Sequence, residues 1–222
     1  YRVHTAGAST THTDLTRENV VLTGTIDPTA STAVVGVGTA FSTELIEGDS
    51  ILVSGETRVV ASITDNTNLA VTVAFTDVAN DTSPERVPGN YSATAAGGWN
   101  GGVLGGIAIL NNGVDAPQFM GTANDAKMAA LTNWDRTKTC AVMRPFKRFL
   151  VALDTTESAT RYPFRVRWSH PAEGGTVPTS WNDADATKDA SYVDLSQSSG
   201  FVIDCLPLGD INVVYKEDSI WS

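Results

Sequence analysis

Ala141-Val142-Met143-Arg144-Pro145-Phe146, then Phe149-Leu150-Val151-Ala152-Leu153, leads to Phe164-Arg165-Val166-Arg167-Trp168-Ser169. A second stretch follows the same plan: Phe201-Val202-Ile203-Asp204-Cys205-Leu206-Pro207, then Ile211-Asn212-Val213-Val214-Tyr215-Lys216, then Ser219-Ile220-Trp221-Ser222. Each reads as strand, short turn, strand, then a strand closing on Trp-Ser. A fainter third copy lies in Gly102-Val103-Leu104-Gly105-Gly106 followed by Ile107-Ala108-Ile109-Leu110. Equivalent points at Ala108, Ala152 and Val214 fall 44 and 62 residues apart. Antiparallel strand groups at intervals of roughly 40 to 50 residues are spaced like propeller blades, the longer interval holding a loop insertion. The chain is therefore expected to be all-β, with partial β-propeller blades over residues 97–222. It ends directly after the second Trp-Ser, so an incomplete set of blades within a longer protein is expected, about four being the usual minimum for closure.

Working outward, residues 19–84 differ in composition. They are rich in Val and Thr and nearly free of aromatics, whereas all five tryptophans (Trp99, Trp134, Trp168, Trp181 and Trp221) follow Gly97. Within this section Asp49-Ser50-Ile51-Leu52-Val53-Ser54-Gly55-Glu56-Thr57-Arg58-Val59-Val60 reads as a hairpin, Ser54-Gly55 supplying the positive φ angles of a tight turn. A second turn at Thr64-Asp65-Asn66-Thr67 leads into the alternating Leu69-Ala70-Val71-Thr72-Val73. Four or five strands closing into a small β-barrel or sandwich module are expected here. The flanks, residues 9–16 and 80–96, read as polar and loop-like, so the module looks inserted into a larger body. Residues 1–18 then form an N-terminal strand or linker of that body. The one helix expected lies over residues 124–131, where Ala-rich sequence follows a potential Asn cap.

At 222 residues the chain is long enough for one large or two modest cores, and 41% hydrophobic with 18% charged residues is ordinary for a globular protein. No apolar run reaches the roughly 18 residues that a membrane-spanning helix needs. A net charge of −10 argues against gripping nucleic acid through its phosphates, while suiting a surface that DNA passes without sticking. Two cysteines, Cys140 and Cys205, cannot form a metal site alone. Each sits in or beside an apolar strand, so buried free thiols are expected, although neighbouring repeats could also bring them close.

Several constellations invite chemistry and each has a plainer reading. Asp183, Asp185, Thr187, Asp189 and Asp194 match positions 1, 3, 5, 7 and 12 of an EF-hand-type calcium loop. Lys188 stands where such a loop needs Gly, and Asp194 where it needs Glu, so a solvated inter-strand loop is preferred to a metal site. His4, His12 and His170 read as loop histidines. No Gly-x-Ser-x-Gly elbow marks a nucleophile, and the glycines from Gly97 to Gly106 lead into a strand and not into a phosphate-binding helix. They suit tight packing or bulges in a sheet. A glycosidase would need paired carboxylates roughly 5 to 10 Å apart. Asp154, Glu157, Glu173, Asp204 and Asp210 supply candidates, and none is singled out. Trp168 and Trp181 fit either a sugar-stacking platform or blade packing, and packing is preferred. No catalytic, cofactor-binding or metal residue is assigned.

Four stretches in order carry a resemblance. They are Gly106-Ile107-Ala108-Ile109-Leu110-Asn111-Asn112-Gly113-Val114-Asp115-Ala116-Pro117-Gln118; Arg144-Pro145-Phe146-Lys147-Arg148-Phe149-Leu150-Val151-Ala152-Leu153; Val166-Arg167-Trp168-Ser169-His170-Pro171; and Val213-Val214-Tyr215-Lys216-Glu217-Asp218-Ser219-Ile220-Trp221-Ser222. Together they resemble the tail nozzle proteins of short-tailed bacteriophages, the tail tubular protein B family, over residues 97–222. Gly38-Thr39-Ala40-Phe41, Leu45-Ile46-Glu47-Gly48-Asp49-Ser50-Ile51 and Arg58-Val59-Val60-Ala61-Ser62-Ile63 are similar to small β-modules of phage tail and fibre proteins.

The resemblance implies a structural virion protein and not an enzyme, with no cofactor. Its copies would form a homohexameric ring below the portal and adaptor, meeting adaptor and tail fibre proteins. The ring would pass genomic DNA during ejection, after assembly in the bacterial host cytoplasm. The alternative is a propeller tail protein that binds or degrades host surface glycans. A third reading makes residues 19–83 a receptor-binding or decoration module.

Overall fold

The computed structural model describes residues 2–6, 9–13, 17–92, 98–121 and 127–222. With 46% strand and 2% helix the protein is all-β, built of several antiparallel sheets, none closed into a barrel. It divides into two compact units, residues 17–90 and residues 1–16 with 91–222. The chain opens on a hairpin of β1 (Arg2–Ala6) and β2 (Ser9–Thr13), paired from Arg2↔Thr13 to Ala6↔Ser9. Part of the stretch expected to be loop, residues 9–16, is therefore strand.

The 17–90 unit holds β3 (Val20–Val21), β4 (Thr25–Ile26), β5 (Ala33–Val37), the single-turn helix α1 (Phe41–Glu44), β6 (Ser50–Val53), β7 (Glu56–Ile63), β8 (Asn68–Val71) and β9 (Glu85–Val87). Its seven strands form one sheet in the order β3-β9-β6-β7-β8-β5-β4. Of the expectation of four or five strands in a small β-barrel or sandwich, the strand number and the closed barrel are thus corrected. β9 comes from the supposedly loop-like segment 80–96 and lies between β3 and β6, where Arg86 pairs with both Val20 and Ile51. The two end strands do not pair. A single bridge, Ile26↔Asp81, ties β4 to the chain ahead of β9.

Alternation explains the core of this unit. Val34, Ile51, Val53, Leu69 and Val71 point inward from their strands, and Phe41 and Phe75 fill the space between them. Ser54 and Gly55 turn β6 into β7 at φ 48° and 80°, the two positive angles of a type I′ turn.

The other unit continues as three meanders. β10 (Asn100–Leu104), β11 (Ile107–Asn111), β12 (Gln118–Met120) and β13 (Ala129–Ala130) make the first sheet. β14 (Thr139–Phe146), β15 (Phe149–Glu157), β16 (Thr160–Trp168) and β17 (Ser191–Asp194) make the second, and β18 (Val202–Leu208), β19 (Ile211–Lys216) and β20 (Ile220–Trp221) the third. The helix expected over residues 124–131 is corrected where it is described; Asn124 and its cap lie outside the described residues. Ala129 and Ala130 pair with Phe119 and Gln118, and Met128 and Leu131 are buried. Burial and ladder hydrogen bonds outweigh alanine's local helix preference, which is worth only about 0.5 kcal/mol per residue.

Two apolar layers join these sheets. Leu104, Ile107 and Ile109 of the first sheet meet Cys140, Met143, Leu150 and Ala152 of the second. On the opposite face of the second sheet, Val151, Leu153 and Val166 meet Val202, Cys205 and Val214 of the third. Along β15 consecutive residues thus serve opposite layers, which explains why its apolar run is continuous and not alternating. The glycines of β10 allow the close approach: a Cβ on Gly102 would lie 2.7 Å from the Pro145 ring of the next sheet.

The doubled Trp-Ser segment is not a simple structural repeat. Trp168 pairs with Val151 and Trp221 with Val214. Both tryptophans pack on the layer between the second and third sheets, facing it from opposite sides. Aligning Ala152 with Val214 shifts the register by one residue, and a one-residue shift changes the face of every side chain. The serines differ as well. Ser169 is buried and accepts the Leu150 N–H at 3.0 Å, whereas Ser222 is exposed.

Candidate functional site

The densest charged cluster lies at the outer strands of the second sheet. Arg165 and Arg167 are two apart on β16 and so share a face, and Val166 between them faces the apolar layer. Asp194 stands opposite Arg165 and Tyr192 opposite Arg167 on β17. Arg165 holds Asp194 through two hydrogen bonds of 2.9 Å, and its guanidinium lies 3.8 and 3.9 Å from the ring centroids of Tyr162 and Tyr192. Arg167 donates to the Trp181 carbonyl and to Asp183, each at 3.0 Å.

Glu157 sits among three cations. Arg165 and Arg167 approach it to 3.3 Å and Lys138 to 3.4 Å, and the Thr155 hydroxyl donates to it at 2.9 Å. Burial pushes the Glu157 carboxyl up, but Arg167, the Thr155 hydroxyl, Lys138 and Arg165 together hold it below its ordinary value. A general acid for glycoside cleavage needs the opposite shift.

Beside the cluster is a cleft of about 360 Å³ lined by Trp134, Lys138, Arg167, Ser180, Trp181 and Asp183 among others. Trp181 is 7% exposed and packs edge-on against Trp134 with centroids 4.7 Å apart. Its indole N–H donates no hydrogen bond among the described residues, whereas the Trp134 indole donates to the Lys138 carbonyl at 2.8 Å. So little of the Trp181 ring is open that it makes a poor platform for a sugar. Trp168 packs into the second apolar layer and donates to the Asp189 carbonyl at 2.8 Å.

The other candidate carboxylates are scattered and individually paired. Asp154 takes Arg161 in two hydrogen bonds of 2.8 and 2.6 Å, Glu173 takes Arg148, and Asp210 lies 3.3 Å from Lys147. Asp204 takes Arg144. The aspartates of the calcium-like loop do not converge either. Asp183 and Asp194 are held by Arg167 and Arg165, Asp185 accepts the Thr187 N–H and hydroxyl, and Asp189 lies beside His170. His170 accepts the Asp189 N–H at Nδ1. The side chains of His4 and His12 lie outside the described residues. Among the described residues no three His, Cys, Asp or Glu side chains gather as a metal would require. No described helix is long and apolar enough to cross a membrane.

Sequence reasoning missed the residue that links all three sheets. Arg144, on the first strand of the second sheet, donates to the Gly101 carbonyl on β10 at 3.0 Å and makes two 2.8 Å bonds to Asp204 on β18. Asn100 and Asn111 add to this seam: Asn100 accepts the Met143 N–H and donates to the Ala141 carbonyl, and Asn111 donates to the Cys140 carbonyl. The Arg-Pro-Phe wording of the resemblance contains Arg144, but nothing in its spacing indicates two partners 43 and 60 residues away. The cysteines occupy different layers, Cys140 between the first and second sheets and Cys205 between the second and third, and both are free and buried.

No protein-family model matches the chain, and no curated protein matches it.

Proposed function

We propose that the protein is a structural subunit of a bacteriophage tail, of the nozzle kind, whose copies assemble around a DNA channel. The observation that carries this reading is the seam at Arg144. Three consecutive meanders lie in series with their first strands adjoining, as the inner strands of successive propeller blades do. The apolar layers between the sheets are the blade-to-blade packing of this reading. The Trp-Ser doublet is not its support, since the two tryptophans enter one apolar layer from different sheets. The net charge of −10 suits a conduit that DNA must cross without sticking.

Glycan cleavage is the less supported alternative. All five candidate carboxylates are ion-paired, Glu157 with three cations at once, and Glu157 is shifted away from general-acid use. Immunogold labelling of virions made from the genome that encodes the chain tests the subunit reading. Label at the tail is expected. Label absent from the tail, together with hydrolysis of host polysaccharide by the purified chain, overturns it.

A further inference from the structure

Just beyond β16, His170 meets the loop of residues 180–189 through both its backbone and its ring. Its N–H donates to the Ser180 carbonyl at 2.8 Å, and its Nδ1 accepts the Asp189 N–H at 3.1 Å. The imidazole is three-quarters covered. On the other side of the same residue, the Asp189 carbonyl accepts the Trp168 indole N–H at 2.8 Å. The charged groups that face the ring come from this loop. The Asp189 carboxylate lies 3.7 Å from Nδ1, and Asp185 interacts electrostatically with both His170 and Lys188. Glu173, three residues along the chain, is held by Arg148.

An imidazole nitrogen accepts a hydrogen bond only while it carries no proton. The bond from Asp189 N–H therefore requires the neutral ring with its proton on Nε2. Protonation turns Nδ1 into a donor pointed at another donor. The carboxylate of the same aspartate then supplies an acceptor within a short rotation. Of all side chains, imidazole is the one whose ordinary titration falls in the mildly acidic range.

We propose that His170 is a proton-operated latch on residues 184–189: the neutral ring holds the Asp189 amide, and the protonated ring releases it and takes the Asp189 carboxylate instead. The change is confined to the second half of the loop. The His170 N–H holds the Ser180 carbonyl whatever the charge on the ring, and Arg167 holds Asp183 at 3.0 Å. The latch is a local exchange of partners that biases a loop between two arrangements, and it does not depend on the subunit reading.

Nitrogen NMR of the labelled chain, titrated from about pH 8 to about pH 5, tests it. At the upper end the Nε2–H tautomer of His170 is expected, with a through-hydrogen-bond coupling between the Asp189 amide nitrogen and Nδ1. As the ring takes up its proton that coupling is expected to vanish. The amide resonances of residues 184–189 should move with the midpoint of the imidazole, while those of Ser180 and Trp181 stay in place. His170→Asn sets an amide oxygen where Nδ1 lies and cannot titrate in this range, so it is expected to abolish the movement. An Nδ1–H tautomer at the upper end, a coupling that outlasts protonation, or residues 184–189 unmoved while the ring titrates overturns the proposal. Movement that persists in His170→Asn overturns it too, by assigning the trigger to another group. The first readouts come from the unsubstituted chain, so the outcome does not hang on whether the variant folds.

Discussion

Arg144 and Asp204 form a two-bond ion pair between neighbouring sheets, Nε to Oδ1 and Nη2 to Oδ2 both at 2.8 Å. The carboxylate partner raises the affinity of Arg144 for its proton. Each side chain is roughly three-quarters covered, so the pair is neither a solvated surface bridge nor a fully buried one. Arg144→Met is expected to lower stability by about 1–2 kcal/mol, the range for charge-assisted hydrogen bonds partly screened by water. Urea denaturation of the two single variants Arg144→Met and Asp204→Asn and of the double variant isolates the coupling. A double-mutant cycle with no coupling would show that the seam is held by apolar packing alone.

The two thiols give a second prediction. Burial pushes the Cys205 thiol up to about 11 and the Cys140 thiol higher still, leaving little thiolate near neutrality. Their separate layers keep them from meeting. In the native protein both are expected to resist an aromatic disulfide reagent, and both to react once the chain is unfolded in guanidinium. Rapid labelling of the native chain, or a Cys140–Cys205 bond formed on mild oxidation, would contradict the packing described.

Much of the all-β architecture is legible in the residues because it follows from local pattern. The Ser54-Gly55 hairpin follows from a glycine that can adopt positive φ, between two runs of strand formers. The apolar cores of β14, β15, β18 and β19 are legible for the same reason. What escapes is set by partners far along the chain. β9 looks polar by itself and becomes a strand because β3 and β6 flank it, and Ala129-Ala130 becomes a strand because β12 does. In the charged cluster, Glu157 was one of five equal candidates until the fold placed Lys138, Arg165 and Arg167 around it.

The β15–β16 turn is a case of missing local signal, and it yields a third prediction. Ser158 and Ala159 take φ 48° and 63°, the left-handed pair of a type I′ turn that favours Asn-Gly. Neither residue announces a turn, so the strands read as ending near Leu153 and starting near Phe164, whereas they run to Glu157 and from Thr160. Replacing Ala159 by Gly removes the Cβ strain at that φ and is expected to stabilise the unit by about 0.5–1 kcal/mol. A lowered thermal midpoint for Ala159→Gly would count against this turn geometry.

In the 17–90 unit, Glu56 should titrate far from its ordinary value of 4.5. The Thr76 hydroxyl, then the N–H groups of Thr76 and Asp77, donate to it, with Arg58 adding a smaller attraction, and together they bring its pKa to about 2. A lowered value means the carboxylate contribution is complete above 4.5 and disappears as pH falls through about 2. Side-chain carbon NMR titration reads this directly. Thr76→Val should move the Glu56 midpoint upward, and a midpoint unchanged by that substitution would remove the hydroxyl as the leading cause.

Glu157 gives the acid limb of the larger unit. Its carboxyl is held below its ordinary value of 4.5, so the ionised form is the one folding favours. The contribution is therefore present in full above 4.5 and is lost as pH falls through the lower value in the folded state. Glu157→Gln leaves Lys138, Arg165 and Arg167 without their shared anion while Asp183 and Asp194 keep theirs. At neutral pH the substitution is expected to cost about 3 kcal/mol, the magnitude for breaking one partner of a largely buried pair. At acid pH the carboxyl of the unsubstituted chain is itself protonated, so the two proteins should converge in stability. Urea denaturation from neutral pH to about pH 2 measures the gap. A gap that stays constant across that range would mean that Glu157 acts through packing and not through its charge.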